Sequence, residues 1–135
     1  MSDSNLIEQF KSAVDALLNA PEKVPEYFAE DVLWINYVPD HLPYGGEYRG
    51  LGGLSELFGQ YLAALEIGPI EFDAFFVTTT RDVIVTGTER DSLVKATGKR
   101  YTMPFVWVAR FNAAGKIEYL REHNDTYPMA EAFKP

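Results

Sequence analysis

The chain contains no cysteine in 135 residues and only two histidines, His41 and His123. The first absence excludes disulfides, thiol nucleophiles and thiolate metal sites together. The second leaves no pair at metal-ligand spacing, so no metal is expected. Basic residues are also few. Twelve Lys and Arg stand against twenty Asp and Glu, a formal net charge of −8, and the twelve are scattered. Phosphate binding needs a concentrated cationic surface, so no nucleic acid partner is expected. No run approaches the roughly 20 apolar residues that cross a bilayer, so no membrane partner is expected either. The opening MSDSNLIEQF lacks the basic stretch and apolar core of a secretory signal. A cytoplasmic location is the expectation that follows.

What the chain has in quantity is apolar and aromatic surface: 47% hydrophobic residues, with nine Phe, eight Tyr and two Trp. That is enough for a large core and an aromatic-lined cavity. The length fits one domain, residues 1–135, burying roughly two thirds of its unfolded surface.

Leu6, Ile7, Phe10, Ala13, Val14, Leu17 and Leu18 recur at helical spacing and predict an amphipathic helix over 4–18, with Ser4 as its N-cap. Pro21 can open a second, short helix that Pro25 keeps brief. DVLWINYV, 31–38, reads as a strand. Two Pro and five Gly in residues 39–53 predict a loop that turns sharply. Leu54, Leu57, Phe58, Tyr61, Leu62 and Leu65 predict a third helix, ended by Gly68. The remainder alternates as four strands, PIEFDAFFVT, DVIVTGTERDSLV, KRYTMPFVWVARF and KIEYLREHND, joined by turn signals at TTRD, ATGK and NAAGK. MAEAF adds a final helical turn. Helices followed by hairpin strands give an α+β pattern with the helices on one face of the sheet.

This order, with PYGGEYRG before the third helix, TGKRY opening a strand and FNAAGKI turning into the last one, resembles the nuclear transport factor 2-like superfamily. Its members include the SnoaL-like polyketide cyclases, the ketosteroid isomerases and the limonene epoxide hydrolases. The resemblance implies a cystatin-like cone: a curved antiparallel (mixed) β-sheet packed against three helices of the N-terminal half and enclosing a pocket. It also implies a homodimer formed through the convex sheet face.

The SnoaL-like cyclases end their last strand in Glu-His-Trp-Asp, and Glu122, His123, Asn124 and Asp125 match it with Asn for Trp. The resemblance assigns Asp125 the role of general acid/base at a carbon beside a carbonyl, with His123 its neighbour on the same face. Arg121, His123 and Asp125 alternate, so a strand aims all three the same way. The epoxide hydrolases carry Thr-Glu-Arg-x-Asp; Thr88, Glu89 and Arg90 match, and Ser92 stands where the second Asp would. Their water-holding Tyr-x-Asn aligns with Trp34, Ile35 and Asn36. Asp91 is one residue from the missing acid, and a one-residue shift points it to the other face unless a bulge intervenes. The ketosteroid isomerase dyad is absent, since Asn36 and Trp107 occupy its positions.

The candidate catalytic residues are therefore Asp125, His123, Arg90 and Asn36. Trp34, Tyr44, Phe75, Phe105, Trp107, Tyr119 and Arg121 are candidates for contacting a small apolar or aromatic molecule. The plainer alternatives stand beside these roles. Asp125 can be a solvated carboxylate or a cap for the MAEAF turn, Arg90 a structural partner for an acid on the sheet, and His123 a wall residue. The resemblance implies proton transfer on a small apolar cyclic carbonyl compound without cofactor. Epoxide hydrolysis, and ligand binding or scaffolding without turnover, stay open.

Overall fold

In the structure, a computed structural model that describes residues 2–135, the first helix begins before its apolar stripe does. Ser2 rather than Ser4 caps α1 (Asp3–Asn19), its Oγ accepting from the Asn5 N–H at 3.1 Å, a contact worth about 1 kcal/mol. Leu6, Phe10, Ala13, Val14 and Leu17 form the buried stripe. A 3-10 turn at Pro21–Lys23 leads into α2 (Val24–Tyr27). β1 (Phe28–Asn36) follows at once, and residues 37–45 are irregular.

The stretch predicted as one loop over 39–53 holds β2 (Gly46–Arg49) and the start of α3 (Gly50–Ala64). β2 pairs antiparallel with β1, Trp34 opposite Tyr48; four residues flanked by glycines are too short to show a strand period. Next come β3 (Leu65–Glu66), β4 (Ile70–Val77), β5 (Val83–Val94), β6 (Arg100–Phe111), β7 (Ile117–Asn124) and α4 (Tyr127–Phe133).

The strands form one sheet in the order β2-β1-β7-β6-β5-β3, with β4 also on β5. β1 runs parallel to β7 and the other pairs are antiparallel. The result is the expected α+β fold with a curled, mixed sheet. Phe10 of α1 meets Trp107 of β6 at 6.3 Å between ring centroids, and Leu54 and Leu57 of α3 join the same core. Among the described residues no helix is long and apolar enough to cross a membrane.

One irregularity positions the site. The step from Glu89 to Ser92 on β5 faces the shorter step from Met103 to Tyr101 on β6, a bulge in which Asp91 takes a φ of 50°. The bulge reverses the strand's alternation: Val83 and Val85 face the core before it, Ser92 and Val94 after it. β3 and β4 lie end to end along the same edge of β5, and Gly68 between them packs on the bulge, where a Cβ would overlap the Arg90 carbonyl oxygen.

A two-carboxyl cavity as candidate active site

α1, α3 and α4 lie over the inner face of the sheet and leave a cavity. Val14, Leu17 and Leu18 of α1, Phe58 and Tyr61 of α3 and Met129 of α4 line the helical side. Trp34, Asn36, Glu89, Tyr101, Trp107, Glu122 and Asn124 line it from the strands, and Tyr44 from the irregular segment. The space is narrow, about 40 Å3, against roughly 10–15 Å3 for one water. That admits no guest larger than a single small ring.

Glu122 is the hub of the polar groups. Its Oε2 accepts from Trp34 Nε1–H and from the Tyr61 hydroxyl, each at 2.7 Å. Tyr61 in turn accepts from Asn36 Nδ2 at 2.6 Å. Asn124 Nδ2 donates to Asn36 Oδ1 at 3.2 Å and more weakly to Glu122 Oε1 at 3.3 Å. One carboxylate oxygen is thus held by two short bonds, whereas the other has a single long one and keeps accepting capacity for a ligand. Burial pushes the Glu122 carboxyl above its ordinary range; its three donors oppose this and the nearby Glu89 adds to it, with burial the largest influence. Burial, with Glu122 alongside, also holds the Tyr61 hydroxyl well above its usual range, so it stays a donor.

Glu89 is the second carboxyl. Ser92 Oγ–H donates to its Oε2 at 2.7 Å, and Ser92 is fixed by the Gly68 N–H at 2.9 Å. The bulge therefore brings Glu89 and Ser92 to the same side. Tyr101, raised by burial and by Glu89, has polar neighbours in Glu89 and Ser92 but makes no hydrogen bond of good geometry. Tyr101 Oη, Trp107 Nε1 and Asn124 Oδ1 are buried without a partner. Native interiors leave few such atoms. All three belong to residues that line the cavity. Tyr44 packs edge-on against Tyr61 at 4.8 Å and donates to Met129 Sδ at 3.0 Å, tying the irregular segment to α4. Among the described residues no group of three His, Asp or Glu is arranged to hold a metal.

The SnoaL-like domain family matches residues 11–120. The chain belongs to the SnoaL-like family. Solved structures share the fold of this SnoaL-like chain. A nuclear transport factor 2-like protein from Burkholderia xenovorans LB400 is 27% identical over 99% of each chain, with a TM-score of 0.81. A candidate isomerase from Rhodopseudomonas palustris is 18% identical over 94% of each chain, TM-score 0.76. A candidate SnoaL-like polyketide cyclase from Mesorhizobium loti is 18% identical over 91% of this chain and 99% of the other, TM-score 0.71. No curated protein matches the sequence.

The structure gathers only part of the expected site of the SnoaL-like chain. Trp34, Asn36, Tyr44 and Trp107 line the cavity. Asp125 does not: it lies exposed just past β7, with one long bond from the Tyr127 N–H to its Oδ1 at 3.4 Å. His123 is exposed opposite Val106, because β7 turns Glu122 and Asn124 inward and the residues between them outward. Arg121 stacks over Tyr37 at 5.4 Å and Tyr119 lies under the Arg110 guanidinium at 5.3 Å, both away from the cavity. Arg90 sits on the bulge, paired with Glu71 of β4, and the bulge leaves Asp91 exposed rather than turning it in. Phe75 packs on Phe10 at 6.1 Å, and Phe105 stacks on Trp107 at 4.2 Å; both belong to the core around the cavity rather than to its lining. Glu122, Asn124, Glu89, Tyr61 and Tyr101 are the polar lining that the sequence reading passed over.

Proposed function

We propose that this SnoaL-like chain is an acid–base enzyme that moves a proton at a carbon beside the carbonyl of a small, apolar, cyclic compound, with Glu122 as the proton carrier. The observation that carries the reading is the arrangement of Glu122: half-buried on the cavity wall, raised above its ordinary range, with Oε2 held by Trp34 and Tyr61 and Oε1 left with one long bond. A carboxyl raised above its ordinary range takes a proton from carbon more readily than a solvated one and can return it, and general acid–base catalysis of this kind contributes roughly 10²–10⁴ in rate. Oε1 takes the proton from carbon, and the electron pair moves into an enolate. Trp107 Nε1–H and the Tyr101 hydroxyl, unpartnered in the free protein, are donors suited to that developing oxygen charge. Collapse of the enolate with return of the proton from Glu122 to another carbon completes an isomerisation; attack on a second carbonyl completes a ring closure.

The test is deuterium uptake from D2O beside the carbonyl of cyclic ketones and enones, followed by NMR. Glu122→Gln is expected to slow uptake by roughly 10²–10⁴, and undiminished uptake would remove Glu122 from the mechanism. A second reading, epoxide hydrolysis, is favoured by the second carboxyl on the same cavity, since one acid can donate to an epoxide oxygen while the other activates water. It is told apart by label from 18O water entering a diol product. Ligand binding or scaffolding without turnover is the third reading, and it predicts neither proton exchange nor epoxide opening.

A further inference from the structure

The charges around the cavity are of one sign. Glu89 and Glu122 are its titratable acids, and among the described lining residues there is no Lys, Arg or His. Each acid has an arginine beside it in sequence, and both point elsewhere: Arg90 is engaged by Glu71 on the exposed side of the bulge and Arg121 lies over Tyr37. The unused hydrogen-bonding capacity is also one-sided. Acceptors in want of a donor are Glu122 Oε1, with one long bond, and Asn124 Oδ1, with none. Free donors are Trp107 Nε1–H and the Tyr101 hydroxyl, on side chains 6% and 4% exposed. A ligand that satisfies the set must offer an acceptor to the tryptophan and tyrosine and an N–H or O–H to the carboxyl and amide, and it must not bring a negative charge between two carboxyls in an aromatic enclosure.

We infer that the cavity takes a small ring bearing both a carbonyl and an uncharged N–H or O–H donor, and rejects carboxylates and enolates that arrive already charged; an enolate formed in place leaves its proton on Glu122 and adds no net charge. This rests on the acid–base reading of the same cavity and narrows its substrate class. Glu89 is the specificity element. Ser92 holds it on one oxygen, and its charge opposes any anion that approaches Glu122. The aromatic walls of Trp34, Tyr44, Phe58 and Trp107 accept the ring itself without regard to its substituents, so discrimination falls to the two carboxyls and the unpartnered atoms. A site whose polar groups are left unpaired by an analogue rejects that analogue strongly.

The experiment measures binding of three six-membered rings by calorimetry at neutral pH: 3-aminocyclohex-2-en-1-one, with acceptor and uncharged donor; cyclohex-2-en-1-one, with acceptor alone; and 1,3-cyclohexanedione, which is there an enolate anion. The aminoenone is expected to bind at least about tenfold tighter than the plain enone, and the dione weakest of all. In Glu89→Gln the dione should gain at least about tenfold, a gain that a damaged protein cannot produce. Equal binding of dione and aminoenone, equal binding of the two enones, or binding of none of the three overturns the inference. Deuterium uptake into the plain enone, measured on the same samples, separates the two levels. Uptake without the binding preference sinks the ligand class and leaves the acid–base reading standing. The preference without uptake does the reverse.

Discussion

Glu122→Gln removes one charge from the cavity at nearly constant shape, so its effect on stability isolates what that charge costs. Burial raises the Glu122 carboxyl despite the donors around it. A carboxyl raised in the folded state binds its proton more tightly there than in the unfolded chain. Its contribution is therefore fully present below the unfolded value, about 4.3, and is lost as pH climbs through the raised folded value, at about 1.4 kcal/mol for each unit of elevation. Glutamine does not titrate. In the variant the amide oxygen can take the place of Oε2 and keep the bonds from Trp34 and Tyr61, but its NH2 then faces Asn124 Nδ2, donor against donor. Rotating the Asn124 amide presents its unpartnered Oδ1 at the expense of the 3.2 Å bond to Asn36. Either way about one neutral hydrogen bond is lost, roughly 0.5–1.5 kcal/mol. At acidic pH, where Glu122 is protonated, its own O–H faces Asn124 Nδ2 as the amide does, so the variant should match the parent to within about that amount; as pH rises the parent loses stability and the variant should become the more stable of the two. Urea unfolding followed by Trp34 and Trp107 fluorescence, at steps from about pH 4 to 8, gives the difference directly. A difference that is flat with pH would show that folding leaves the carboxyl unperturbed. A deficit that widens with pH would show that the donors, not burial, dominate, and either result refutes the reasoning.

Ser92→Ala leaves the Gly68 N–H and the Glu89 carboxylate each without the hydroxyl that now joins them; a loss of about 1–3 kcal/mol in urea unfolding is expected, and a loss under about 0.5 kcal/mol would mean that solvent or Tyr101 replaces it. Gly68→Ala drives a Cβ into the Arg90 carbonyl oxygen, a backbone atom that cannot rotate aside, and should cost about 3 kcal/mol or more, whereas Gly52→Ala in α3 meets nothing within 4 Å and should be neutral or stabilising by up to about 1 kcal/mol; equal effects in urea unfolding would contradict the packing at the bulge. Asp125→Asn alters an exposed carboxylate and should leave stability within about 0.5 kcal/mol and deuterium uptake unchanged, so a large loss of uptake would return Asp125 to the chemistry in place of Glu122.

The last strand shows why the fold was more legible than the site. Element order and turns follow from local spacing and from Gly, Pro and Asn signals, which survive small irregularities. The face that looks inward depends on a phase of one residue, and a single irregularity reverses it. In β1 the irregularity falls before Leu33, so Trp34 and Asn36, both buried, stay in phase, and their shared face could be read directly from the sequence. In β7, Ile117 and Leu120 are both fully buried although three apart, because the pairing with β6 shifts between Arg110 and Phe111. Counting in twos from Ile117 leads to Arg121, His123 and Asp125; counting from Leu120 leads to Glu122 and Asn124. The match to Glu-His-Trp-Asp favoured the first count, while the folded chain follows the second. β5 repeats the lesson, for only the bulge at Arg90 and Asp91 allows Glu89 and Ser92 to meet. Gly68, which the sequence marks merely as a helix stop, makes that bulge possible by having no Cβ to collide with it. Each carboxyl of the cavity therefore lies beyond or beside a phase change, where sequence periodicity alone is blind and a polar residue counted as outward-facing can be the one turned inside.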